Sequence, residues 1–271
     1  MADEVKLIYL SDLHLITIND EIRDEEIDNI NGRIGWSSYE GVSAKEQWSG
    51  WVDTLNKSGA DYLLFGADMV DFPSQSNIAA LKSEMDKLTI PYMYIRADHD
   101  LTSTYLKPEL TYDITAGYQE SICPVEDVYV KEFDDFIVVG WNNSTSLLSV
   151  SGMERIDEAV QIGKPLILLT HVPIAPIDDD SLAELSRSIY QDRALIWGNY
   201  QGYGYFPNGT AEGDATAKLL DLLYADDSPF VEVLCGHLHA SWDGYISPGV
   251  HEHVFDAAFN RHYGIITVSG D

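Results

Sequence analysis

The chain is short of basic residues. Its 271 positions hold 16 Lys and Arg against 45 Asp and Glu, a formal net charge of -29. Phosphate backbones and acidic membranes are gripped through Lys and Arg, so this deficit argues against a nucleic-acid partner and against bulk binding to acidic lipid. Cysteine is scarce as well. Cys123 and Cys235 are far apart and belong to no close pair, which argues against a zinc ribbon or a redox motif and leaves one disulfide or two buried thiols. No apolar run approaches the roughly 20 residues a membrane-spanning helix needs. Met1-Ala2-Asp3 leads almost directly into Leu7-Ile8-Tyr9-Leu10, without the basic and apolar parts of a secretion signal. The expectation is a cytoplasmic protein; an exported one would need a signal ahead of this chain.

What is present is a core. Hydrophobic residues make up 45% and aromatic residues 11% of the chain, enough for one globular domain over residues 1–271. Apolar, β-branched or aromatic runs recur at Leu7–Leu10, Tyr62–Phe65, Tyr92–Ile95, Phe136–Val139, Leu166–Leu169, Val231–Cys235 and Tyr263–Val268. Most are continuous rather than alternating, as in strands covered on both faces. Helical stripes fall between them: Trp48, Trp51, Val52 and Leu55 step at three, four and seven, and Ile78, Leu81, Met85 and Leu88 do nearly the same. Further helices are expected over Met153–Gln161, stopped by Gly163 and Pro165, and near Ala215–Tyr224. Alternating strands and helices imply a layered α/β chain. Long loops are expected near 17–42, 102–124 and 173–212. The last contains GNYQGYGYFPNG, which reads either as plain surface loop or as a wall against substrate.

The informative residues follow the apolar runs. Asp12 and His14 come after the first, Asp68 after the second, and Arg96-Ala97-Asp98-His99-Asp100 after the third. His171 follows Leu166–Leu169, and His237 and His239 follow Val231–Cys235. In open α/β sheets ligands bind beyond the carboxyl ends of the strands, where residues distant in sequence meet. Alone, RADHD reads more readily as a solvated charged turn than as a set of ligands. Five strand ends carrying metal-type ligands are not a chance scatter of His and Asp. Residues i and i+2 of an extended segment project to one side, so Asp12 with His14, and His237 with His239, are expected to converge. His251-Glu252-His253 has the same spacing without the strand-end setting and is expected in a solvated loop or at a substrate rim; His262 and Asn142-Asn143 receive the same reading.

At these residues the chain resembles the calcineurin-like metallophosphoesterase family, whose ordered signature is D-x-H, G-D-x-x-D, G-N-H-D/E, a lone His, and G-H-x-H. The resemblance spans Asp12 to His239. It departs from the pattern at two places: Ala67-Asp68-Met69-Val70-Asp71 stands where G-D-x-x-D is usual, and Ala97-Asp98-His99-Asp100 where G-N-H-D is usual. The resemblance implies a four-layer α/β/β/α sandwich with its metal site at the carboxyl ends of the strands. It implies that Asp12, His14 and His239 hold one metal, that Asp98, His171 and His237 hold a second, and that Asp68 bridges them. His99 would face the substrate, Asp100 would orient His99, and Asp71 would lend support from behind.

A family of this kind implies hydrolysis of a phosphomonoester or phosphodiester of a small molecule or nucleotide, by attack of a metal-bridging hydroxide with His99 assisting the leaving group. The cofactors would be two metal ions. Mixed imidazole and carboxylate ligands suit Mn, Fe or Zn better than Ca or Mg. Asp98, where the family has Asn, adds a negative charge that tightens the hold on metal and weakens the pull on phosphate. The alternative is a catalytically weak metal-binding or scaffold module, with a nuclease ranked below it because of the charge. The expected partner is a small phosphorylated substrate, with no nucleic acid and no membrane; oligomeric state is not legible.

Overall fold

The computed structural model describes residues 4–101, 103–123, 126–144, 147–191, 193, 195–197 and 214–270. By packing, the chain divides into two compact units: 1–125 with 257–271, and 126–256. In chain order the first unit contributes β1 (Val5–Leu10), α1 (Ile27–Trp36), α2 (Ala44–Asn56), β2 (Tyr62–Phe65), α3 (Gln75–Met85), β3 (Tyr92–Tyr94), α4 (Asp98–Leu101) and α5 (Tyr112–Gln119). The second contributes β4 (Val128–Glu132), β5 (Ile137–Trp141), α6 (Val150–Ile162), β6 (Leu166–Leu169), α7 (Ser181–Ile189), α8 (Asp214–Tyr224), β7 (Phe230–Cys235), β8 (Trp242–Ser247) and β9 (Val250–Val254). The chain then returns to the first unit with β10 (Gly264–Val268).

The fold class is mixed α/β, with one sheet per unit. The first sheet has the order β10-β1-β2-β3, parallel except where β10 runs against β1. Tyr9 on β1 crowds Gly66 so closely that a side chain there would collide with the tyrosine ring, which explains a glycine at the end of β2. Trp48 and Trp51, the aromatic stripe of α2, are buried; their indoles donate to the carbonyls of Leu81 (3.0 Å) and Ala258 (3.2 Å). The second sheet has the order β4-β5-β6-β7-β9-β8, with four central parallel strands and an antiparallel strand at each edge. β5 and β6 are buried at every residue, as strands covered on both faces must be. Ile156, Leu219 and Leu223 of α6 and α8 pack in one core with Leu166, Leu168 and Val233. Ser149 caps the start of α6, and Gly163 ends it in the left-handed conformation at φ +80°.

Both cysteines are buried thiols that form no disulfide. No helix among the described residues is long and apolar enough to cross a membrane.

Three features differ from the sequence expectation. The stretches 17–42, 102–124 and 173–212 each carry a helix, α1, α5 and α7; these are short and bury few residues apiece, Ile30 being the one buried position of α1. GNYQGYGYFPNG lies outside the described residues. β9 alternates buried and accessible positions, and β4 and β8 are accessible along most of their length, so a search for continuous apolar runs passes over all three. As a consequence His251-Glu252-His253 is the middle of strand β9 rather than a loop.

Candidate metal centre

In the first unit the β1–β2 ladder continues past both strands into the turns that carry the acids. Asp12 donates its amide to the Ala67 carbonyl, His14 to Asp68 and Leu15 to Met69, each at 3.0 Å, and Gly66 donates to Leu10 at 2.9 Å. This zipper holds the two turns in fixed register. Within it Asp12, His14, Ala67 and Asp68 all have positive φ, between +50° and +77°. With His237 and His239 they make six of the nine non-glycine residues of positive φ among the described residues. Such backbone costs energy and persists where the surroundings dictate it, typically at functional sites. The pairs expected to converge as extended residues therefore sit in left-handed turns instead.

The result is a cluster of buried donors. His14 Nδ1 lies 2.9 Å from Asp71 Oδ1, which makes Nδ1 the protonated nitrogen and leaves the Nε2 lone pair unprotonated. Nε2 lies 3.9 Å from Asp12 Oδ1 and 3.9 Å from Asp68 Oδ2. Burial lowers the His14 pKa, opposed by the bond to Asp71, which favours the neutral ring that a ligand needs. An imidazole whose far N–H is held by a carboxylate is the usual arrangement behind a metal.

Asp71 is the hub of this support. Arg33 from α1 forks onto it through Nε (2.5 Å to Oδ2) and a terminal nitrogen, and His99 Nδ1 reaches the Asp71 carbonyl at 2.8 Å and its carboxylate at 3.6 Å. Burial would raise the Asp71 pKa, but Arg33 and His14 outweigh it and hold the carboxyl well below the usual range. The Arg33 charge on Asp71 argues against a separate cation within the His14, Asp71 and His99 group, which is a hydrogen-bond hub.

His99 and Asp98, at the start of α4, line a pocket of about 200 Å³ together with Asp71, Ser103, Thr104 and Tyr105. Burial lowers the His99 pKa, but the charges of Asp68, Asp71 and Asp98 raise it more, which favours the imidazolium. Asp100 does not orient His99. Neighbours on a helix point about 100° apart, so adjacent side chains in α4 cannot face one another. Asp100 instead accepts from the amides of Asp68 (2.8 Å), Ala97 (3.1 Å) and Val70 (3.4 Å) and from the Tyr94 hydroxyl (2.8 Å), tying the turns after β2 and β3 together. Burial, and then the nearby Asp68 charge, push its pKa up to about 7 against these donors. The group that orients His99 is Asp71.

Two residues beyond the strand-end donors adjoin this cluster. Trp36 is 46% exposed, with its ring edge-on to His14 at 5.2 Å and tilted against Phe259 at 4.8 Å. The Arg33 guanidinium sits 5.0 Å over the same indole. Arg33 and Trp36 are three apart on α1 and so share a face. That i, i+3 pair of a cation and an aromatic was the available signal in a stretch otherwise read as loop.

The second unit presents histidines. His171 follows β6 and His237 follows β7; both are buried, their rings meet edge to face at 5.0 Å, and His237 Nδ1 lies 3.3 Å from His171 Nε2. Two ligands about 2.0–2.1 Å from one tetrahedral ion stand roughly 3.3 Å apart, so the spacing fits a shared cation. Asn143, expected in a loop, is buried and clamps the His171 turn: its side chain accepts from the amides of His171 (3.2 Å) and Val172 (2.9 Å) and donates to the Val172 carbonyl (2.7 Å). Tyr190, just beyond α7, caps the other turn, its hydroxyl 3.2 Å from the carbonyls of His237 and Leu238 and 3.4 Å from His239 Nδ1.

No family profile matches the sequence, and no curated protein is similar to it in sequence. Solved structures do match. A dimetal phosphatase from Danio rerio aligns with a TM-score of 0.57 at 12% identity, over 98% of this chain and 99% of its own. The fold is that of a dimetal phosphatase. A purple acid phosphatase from yellow lupin seeds aligns with a TM-score of 0.58 at 11% identity over 100% of this chain. Only 46% of the lupin protein is covered, so this chain spans less than half of that relative. At such identities the likeness is one of fold, and the strand-end donors carry the chemical argument.

Proposed function

We propose that the two units work as one domain that hydrolyses phosphate esters of small molecules with the help of two metal ions. Asp12, His14 and His239 would hold the first ion and Asp98, His171 and His237 the second, with Asp68 serving as a ligand to both. The observation that carries this reading is the placement of His14, with Nδ1 against Asp71 and Nε2 turned towards Asp12 and Asp68. The donor set, imidazoles mixed with carboxylates, fits Mn, Fe or Zn. When bound, such ions supply Lewis-acid activation of water and neutralise phosphoryl oxygens.

The chain's own groups do the rest. His99, tethered through Nδ1 to the Asp71 carbonyl, keeps Nε2–H for the leaving oxygen, to which it donates a hydrogen bond or a proton. Asp71 keeps His14 and His99 in register with one another through a single carboxylate and carbonyl. Trp36 offers its exposed face to the organic part of an ester, and Arg33 beside it attracts the anionic part. The phosphatase names of the aligned structures agree with this reaction class. The test is release of p-nitrophenol from p-nitrophenyl phosphate and bis(p-nitrophenyl) phosphate after chelation and return of Mn. Turnover restored by metal and abolished in His99→Ala supports the reading; a fully metal-loaded chain inert on both esters and on a nucleotide panel contradicts it.

A further inference from the structure

A second His-x-His pair lies outside the proposed centre. β9 is flanked by β7 and β8, and its register sets His251 beside Glu232 on one side and His253 beside Asp243 on the other. Val250 and Val254 are buried in the core, which turns His251 and His253 to the opposite face of the sheet, where each is partly accessible. Their rings meet edge to face at 4.3 Å.

The ring nitrogens divide into two sets. Asp243 takes one from each: His251 Nε2 at 3.0 Å from Oδ1 and His253 Nδ1 at 2.6 Å from Oδ2. With those two nitrogens protonated towards Asp243, the remaining lone pairs belong to His251 Nδ1 and His253 Nε2. Both of these lie beside Glu232 Oε2, at 3.5 and 3.1 Å. Ligands on one tetrahedral zinc stand roughly 3.3 Å apart, between those two values. Glu232 Oε2 is shielded from solvent and lies within reach of both nitrogens, so a proton or a cation must sit between the carboxylate and His253 Nε2. Among the described residues the ion-pair partners of Glu232 and Asp243 are these two histidines, with no lysine or arginine to neutralise them.

We propose that Glu232, His251 and His253 form a divalent-metal site of their own, with Asp243 orienting both imidazoles from behind. Three protein ligands of this kind, with a fourth position open to water, suit zinc and similar borderline cations. The carboxylate behind the histidines repeats the role of Asp71 behind His14. An ion here ties three neighbouring strands together at the edge of the six-stranded sheet.

The experiment loads the full chain with ZnCl2 after chelation, removes unbound metal by gel filtration and counts zinc per chain. Wild type is expected to carry one zinc more than the His251→Asn/His253→Asn double variant and one more than Glu232→Gln. Equal counts in all three would reduce the group to an ion-pair ladder and overturn the proposal. Long-range 1H–15N spectra of wild-type imidazoles need no variant to fold. Zinc should shift His251 Nδ1 and His253 Nε2 to metal-bound values with the opposite nitrogens protonated; unmoved resonances for both rings overturn it equally.

Discussion

The second unit contains two His-x-His pairs that look alike in the sequence and differ in every physical respect. His237 and His239 sit in a turn after β7, both with positive φ, with Leu238 buried between them. His251 and His253 sit in the extended strand β9, on one face by ordinary alternation, with Glu252 buried between them. The first pair sits on unfavourable backbone in a turn held by Gly236, which donates to the His171 carbonyl at 3.0 Å, and by Tyr190; the second converges at no conformational cost. Unfavourable backbone marks a site that the fold maintains for chemistry, and ordinary backbone marks a site that costs the fold little. On this account the turn pair serves catalysis and the strand pair serves binding.

Separating the two pairs by activity gives the largest expected effect. Asp68→Ala or His237→Ala should lower kcat/KM on p-nitrophenyl esters by about 10³-fold or more, near 4 kcal/mol of transition-state stabilisation. His251→Asn/His253→Asn should stay within about threefold of wild type. Steady-state kinetics with added Mn check both, and a large loss in the strand variant would break the comparison.

The residue between each pair offers a stability test. Burial pushes the Glu252 pKa up to about 8 from an ordinary 4.5, against the Ile174 amide and the Cys235 thiol that donate to it. The folded protein then holds a proton that the unfolded chain releases above pH 4.5. Stability from this group is complete below that pH and is lost as pH rises to about 8, by on the order of a few kcal/mol. Denaturant melts in chelator from pH 5 to 8.5 should show this decline in wild type and a smaller one in Glu252→Gln, where Asp100, raised to about 7, still contributes.

Asn143 sharpens the contrast from the side of the turns. Removing its clamp on His171 in Asn143→Ala should weaken metal retention by about 10- to 100-fold, read by competition with a chelating dye. The smallest effect concerns Ala67 and Ala97, which stand where the resembling signature has glycine. Ala67 has φ +77°, a conformation that costs an L-residue roughly 1–2 kcal/mol, whereas Ala97 is not among the positive-φ residues. After the entropy a glycine adds to the unfolded chain, Ala67→Gly should gain about 0.5 kcal/mol, and Ala97→Gly should lose about 0.5–1. Opposite signs in denaturant midpoints check this.

Much of the scaffold was legible because its central strands are continuous apolar runs and its principal helices carry apolar stripes. The strand-end donors were legible for the same reason, since each follows such a run. The edge strands β4 and β8 and the neighbouring β9 were not, because apolar residues interleaved with polar ones look like loop, and this hid the neighbours of His251 and His253. Arg33 and Trp36 were hidden by a helix with a single buried residue. The exchange of roles between Asp71 and Asp100 was invisible because sequence adjacency to His99 says nothing about which side of a one-turn helix each residue faces.

The most direct test of the central claim is anomalous diffraction from crystals grown with Mn, which locates each ion and its ligands. The account predicts two ions, one on Asp12, His14 and His239 and one on Asp98, His171 and His237, with Asp68 touching both. Ions absent from those residues in fully loaded protein, or a single ion without Asp68 among its ligands, would contradict it.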